Sequence, residues 1–225
     1  LTKKTGIIIA IIALVIIIDQ WLKIHIKLNY SIGGGYNILG LDWARIHFVE
    51  NEGMAFGLTL GGVAGKYVLS IFRIIMVGFL IHFLNTIIKS KESLGLQISF
   101  GLIIAGAIGN IIDSAVYGLI FSRSCYHCEI AQFLPEAGGY AGFLQGSVVD
   151  MFYFPMINST WPSWMPFVGG DNFAFFKPVF NVADAAISVG VFLIIVFYRS
   201  YFLSSGQKKV EKGVADVTLP EQVVE

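Results

Sequence analysis

Four aspartates in this 225-residue chain stand inside or beside long apolar runs: Asp19, Asp113, Asp150 and Asp184. An ionisable side chain in such a place is expensive, and by default it marks a functional site. Two carboxylates held close together share one proton, because like charges a few ångströms apart resist joint ionisation. The ionised member can then activate water while the protonated one gives its proton to a leaving amine. That division of labour is what hydrolysis of a peptide bond needs, and it requires no metal.

The spacing around these acids adds polar partners. Asn181 and Asp184 are three residues apart, as are Asn110 and Asp113, so each pair shares a helix face. For Asn181 and Asp184 a plain helix cap is an equally good reading, since both residue types satisfy free backbone N–H groups at a helix start. Asp150 alone would pass for a surface residue. Asp19 and Lys23 have the i, i+4 spacing of an intrahelical ion pair, the expected direct role of that pair. Gly106 and Gly109 suit close helix packing.

The elements that must position these groups are membrane helices. The chain is 56% hydrophobic and 13% charged, with a mean hydropathy of +0.74. Soluble domains run at roughly 25% charged residues. Zero net charge gives no basic face for nucleic acid. An apolar core of about 30 Å takes about 20 helical residues. Four segments qualify: the run from Gly6 past Asp19 to Ile26, then Tyr67 to Ile88, Leu94 to Tyr117, and Phe180 to Phe202. The first has Lys3 and Lys4 ahead of it but no small-residue cleavage site after it, so it reads as a retained helix rather than a signal peptide. The second carries Arg73, His82 and Asn85 and is no plain anchor. Lys3 and Lys4, Lys89 and Lys91, and Arg199 with Lys208, Lys209 and Lys212 fall on one side of a four-span arrangement. By the positive-inside rule that side, with both termini, is cytoplasmic.

Two long regions are then external. In residues 28–65, the alternation Ile46-His47-Phe48 suggests a short strand, with Glu50 to Gly53 as its turn and a small surface sheet around it. In residues 118–179, Trp161, Trp164 and Phe167 among prolines favour the headgroup zone. Residues 1–203 are expected to form one membrane-embedded unit and residues 204–225 a polar cytoplasmic tail. The fold class is an all-α polytopic membrane protein with four transmembrane helices and a small extracytoplasmic β-sheet.

Taken in order, Asp19 with Lys23, Asn51-Glu52-Gly53-Met54-Ala55-Phe56-Gly57, Gly109-Asn110 with Asp113, Val148-Val149-Asp150, and Phe180-Asn181-Val182-Ala183-Asp184 resemble the lipoprotein signal peptidase (signal peptidase II) family. Each piece is weak singly; their order and shared membrane side make the set specific. The resemblance implies an aspartyl endopeptidase of the bacterial inner membrane, working without a cofactor or metal near the outer leaflet. It would remove the signal peptide of a prolipoprotein just before a diacylglyceryl-modified cysteine. Its partners would be that substrate and membrane lipid, and a monomer is expected. The catalytic pair falls on Asp150 and Asp184, with Asn110 and Asn181 as polar supports. Asn51, Gly53, Ala55 and Phe56 match the family's outer-sheet motif, read as part of a substrate cradle. Asp113, Asp19 and Lys23 are expected to orient the site or touch substrate.

Two departures stand out. The family commonly has an arginine after the aspartate matched by Asp113, where this chain has Ser114; Arg123 is a candidate substitute. The connection to Asp150 is also long, with an insertion at about residues 119–146 whose position suggests a part in substrate entry. It holds Cys125 and Cys128, for which a local disulfide or free thiols are better readings than zinc. A transporter or channel using intramembrane carboxylates is the alternative. Four spans, no inverted repeat and acids gathered at one end speak against it. The histidines make no His-Glu-x-x-His pattern of a metalloprotease.

Overall fold

The structure is a computed structural model, and the description covers residues 2–51, 62–175 and 178–202. Among the described residues three helices are long and apolar enough to cross a membrane: α1 (Lys3–Asn29), α2 (Gly62–Lys89) and the run opened by α3 (Leu94–Ile112). After α3 the chain widens into a π-helical turn, Asp113–Tyr117, and closes with a short helix α4 (Gly118–Ile120). The expected fourth span is shorter than its sequence suggested. Helix α5 (Val182–Phe197) has 16 residues, breaks at Tyr198, and resumes helically over 199–202. At 1.5 Å per residue α5 is about 24 Å long, so it needs that last turn to approach the thickness of the others.

Outside the helices lies a four-stranded antiparallel sheet. Its order is β1 (Gly35–Asn37), β2 (Arg45–Asn51), β3 (Val148–Tyr153) and β6 (Val179–Phe180). A separate hairpin pairs β4 (Ile157–Thr160) with β5 (Asn172–Phe175). The strand expected at Ile46 to Phe48 is longer than the alternation alone marked. It runs through Glu50 and Asn51, which pair with Val149 and Val148, so the first half of the expected turn is strand, and Glu52 and Gly53 lie outside the described residues. Ile46, Phe48, Val149 and Met151 from the sheet pack on Ile26, Tyr117 and Phe121 and seal it to the helix ends.

Helices α3 and α5 approach closely because glycines line the seam. A methyl group on Gly106 would run into the carbonyl oxygen of Ala183, and one on Gly190 would lie 2.6 Å from the Ser99 oxygen. Backbone cannot yield as a side chain can, so Gly106→Ala should lower stability in detergent by about 1–3 kcal/mol. Gly78→Ala is the control, because a methyl group there meets nothing within 4 Å. Thermal unfolding of the purified variants separates the two.

Candidate active site

The sheet register delivers the two distant acids to one place. Asp150 lies in β3 opposite Val49 of β2, and two residues later Phe152 pairs with Phe180 of β6. Asn181 follows β6 directly and caps α5. The antiparallel β3–β6 pair therefore sets the start of α5 beside Asp150. The Asn181 carboxamide joins the two: its Nδ2 donates to Asp150 Oδ1 at 2.7 Å, and its Oδ1 accepts the Asp184 backbone N–H at 2.9 Å.

Asp184 does what the capping reading anticipated, and it has an oxygen to spare. Its Oδ2 accepts the Asn181 N–H at 3.4 Å, completing a capping box. Its Oδ1 accepts Asn110 Nδ2 at 2.8 Å. Asp184 is half-buried, whereas Asp150 is only 4% exposed. Burial, and then the negative charge of Asp184, pushes the Asp150 carboxyl up to about 7. Lys23 and hydrogen bonds from Asn181 and Asn51 pull the other way.

Behind this pair lies a buried polar network, and Lys23 is its centre. The Lys23 ammonium is fully enclosed and reaches Asp19 Oδ2 and Asp113 Oδ2, each at 2.8 Å, and Asn110 Oδ1 at 2.9 Å. A lysine has three N–H donors, and all three are matched. Each acceptor then holds another element. Asp19 Oδ1 accepts the Ala183 N–H of α5 at 2.8 Å, and Asp113 Oδ2 accepts the Val149 N–H of β3 at 3.3 Å. The expected intrahelical pair of Asp19 and Lys23 is thus an interior structure shared with Asp113. The π-helical turn begins at Asp113, and Ser114 Oγ donates to the Asn110 carbonyl at 3.1 Å.

Several residues of this network carried no sequence signal. Gln20 donates to Asp113 Oδ1 at 2.8 Å and accepts from Tyr117 at 3.1 Å. Lys27 pairs with Glu50; Ser124 Oγ of the insertion accepts from the Lys27 ammonium and donates to Glu50 Oε1, each at 2.8 Å, and the ammonium sits over the Phe121 and Tyr140 rings. A buried partner far away in sequence, such as Glu50 for Lys27, cannot be read from spacing. Arg123, the candidate stand-in for the family arginine, lines a cavity of about 410 Å³ within the insertion. Cys125 and Cys128 form a disulfide, with Cα atoms 5.3 Å apart.

The structure brings together Asp150, Asp184, Asn181, Asn110, Asn51, Asp113, Asp19 and Lys23. Gly53, Ala55 and Phe56 lie outside the described residues. Removing Lys23 strands two buried carboxylates, so Lys23→Met should cost about 3–5 kcal/mol. Adding Asp113→Asn to it should recover part of that loss. Denaturant unfolding of the single and double variants in detergent micelles checks both statements.

The sequence matches the family model for signal peptidase (SPase) II over residues 11–199. It is 46% identical over 214 residues to a lipoprotein signal peptidase of Porphyromonas gingivalis, covering 94% of this chain and 92% of that one. It is 34% identical to the lipoprotein signal peptidase of Amoebophilus asiaticus, covering 98% and 89%. The fold is similar to that of a bacterial membrane enzyme solved by the in meso method at 1.9 Å resolution, with a TM-score of 0.53 and 26% identity over 85% of this chain and 91% of that one. A match across nearly the whole chain, at this identity, places the protein in the signal peptidase II family of membrane peptidases.

Proposed function

We propose that this chain is an aspartyl endopeptidase that removes the signal peptide from bacterial prolipoproteins, cutting before a cysteine that carries diacylglycerol. The observation that carries the aspartyl assignment is the Asn181 bridge, which ties Asp150 to the start of the helix bearing Asp184. The names of the relatives support the substrate class.

The pair shares one proton. Its ionised carboxylate takes a proton from water, and the hydroxide formed adds to the scissile carbonyl carbon. The protonated carboxyl then gives its proton to the amide nitrogen as the C–N bond breaks. A carboxylic acid and an amine leave, and the pair again holds one proton. Asp150, pushed up by burial, is the member that burial biases toward the proton. Asn110 and Asn181 keep both carboxyls oriented, and Asn51, with Gly53, Ala55 and Phe56, belongs to the substrate cradle.

In the membrane, α1, α2 and α3 span, and α5 with residues 199–202 supplies the fourth crossing. Both termini are then cytoplasmic and the sheet lies on the outer side. The dyad sits near the outer leaflet, where the lipid on the cysteine holds the scissile bond. The insertion at about 119–146 is fastened to the cradle strand through Ser124 and Glu50 and helps shape substrate entry. The enzyme works as a monomer, in contact with membrane lipid.

Asp150→Asn and Asp184→Asn should each slow cleavage of a diacylglyceryl-modified prolipoprotein by at least about a hundredfold, with the protein still folded. The pH dependence has a definite sign. With Asp150 at about 7, its proton is held below that pH and lost above it, so turnover falls on the alkaline side. The Asn51 hydrogen bond favours the charged form, so Asn51→Ala should move that alkaline limb to higher pH. Initial rates of peptide release between pH 5 and about 9, in one detergent, test both.

A further inference from the structure

Arg73 stands inside α2, where no other Asp, Glu, Lys or Arg lies between Lys66 and Lys89. Its place in the fold is not on the lipid side. Ser70 and Val77, three residues before it and four after it, are both buried, so the three share the inward face. That face is fastened to the chain entering β3. Ser70 Oγ donates to the Leu144 carbonyl at 3.1 Å, and Gln145 donates to the Tyr67 hydroxyl at 2.6 Å. Three residues beyond Gln145 begins the strand that carries Asp150.

Helix geometry sets the depth. Helices α2 and α3 form an antiparallel hairpin, with Phe83 against Phe100 at 5.1 Å between ring centroids. Arg73 lies ten residues before Phe83, and Asn110 ten residues after Phe100. Both are about 15 Å along the axis from that contact, so Arg73 stands level with Asn110, the residue that donates to Asp184. The acids whose charges reach its guanidinium are Asp184, Asp113 and Asp150.

The charge balance of the site asks for such a group. Asp19, Asp113, Asp150 and Asp184 converge there, and the donors of Lys23 are taken by Asp19, Asp113 and Asn110. Ser114 holds the position of the family's arginine and brings no charge; its hydroxyl is bonded to the Asn110 carbonyl. We propose that Arg73 is a positioning residue for the dyad, whose guanidinium supplies a second positive charge from α2 and keeps one of the two dyad carboxyls ionised. This rests on Asp150 and Asp184 being the reacting pair. The groups facing the dyad are then Arg73 from α2, Asp19 and Lys23 from α1, Asn110 and Asp113 from the α3 end, and Asn51 from β2.

The test is a carboxyl titration of protein labelled with ¹³C at the aspartate side chain, followed by NMR in detergent micelles without substrate. Asp150→Asn and Asp184→Asn identify the dyad signals. Arg73→Gln should move the dyad transitions to higher pH by on the order of one unit, whereas Arg73→Lys should leave them near those of the wild type. Arg73→Met serves if the glutamine variant does not fold. In turnover, the pH–rate profile should move to higher pH in the same variants while KM stays unchanged. Dyad transitions that ignore the loss of charge, or that move as far in Arg73→Lys as in Arg73→Gln, would overturn the proposal. The peptidase reading fails separately: it falls if the wild type does not cut a lipidated prolipoprotein, even where the carboxyl titration still follows Arg73.

Discussion

One buried ammonium determines how the rest of the structure meets. Lys23 has no exposed surface, and its three donors go to Asp19, Asp113 and Asn110. Burying such a group with two carboxylates yields little net stability, because desolvation offsets most of the attraction. What it does here is fix geometry. Each of the three acceptors also holds another element: Asp19 through its other oxygen an N–H of α5, Asp113 through the same oxygen an N–H of β3, and Asn110 through its amide nitrogen the carboxylate of Asp184. A single side chain of α1 therefore ties together α3, α5 and β3, and Asp150 and Asp184 sit at the far ends of those ties. The N–H groups at the start of α5 also favour the negative charge that Asp19 brings to them.

Two features make that convergence possible. Glycines along α3 and α5 allow the helices to approach until Asp19 of α1 can reach the first turn of α5; a methyl group at Gly109 would lie 2.7 Å from Asp19 Oδ2. The β3–β6 register then fixes the distance along the chain between Asp150 and Asn181 in space. The long insertion leaves both untouched because it closes on itself. Phe121 bridges to Phe133, and Gly146 N–H returns to the Ser114 carbonyl at 2.9 Å, beside the π-helical turn. Loop entropy rises only slowly with length, so an insertion with closed ends costs the site little.

Much of this was legible in the chain. Acids in apolar runs, the Asn110–Asp113 and Asn181–Asp184 spacings, and the small residues of α3 all carry local periodicity. So do α1, α2 and α3, whose apolar runs exceed the length of a span. The pairing of Asp150 with Asp184 came from resemblance, since nothing local says that β3 lies beside β6. Gln20, Glu50 and Lys27 were missed for the same reason: a polar residue near a helix end looks ordinary until its distant partner is known. The π-helical turn at Asp113 has no composition of its own, and a two-residue strand such as β6 is too short for period-two alternation to show. Asp19 and Lys23 were legible as a pair, but their burial was not, because i, i+4 spacing is the same on a wet face and a dry one.

A working dyad requires Asp150 and Asp184 to act on one reacting centre. The direct measurement is an experimental structure of the protein with a lipidated peptide in which a hydroxyethylene group replaces the scissile amide. A shared dyad predicts that hydroxyl within hydrogen-bond distance of both carboxylates, with Asn181 still bridging them. A hydroxyl bound to only one of the two, or seated instead against Asp19, Lys23 and Asp113, would contradict it.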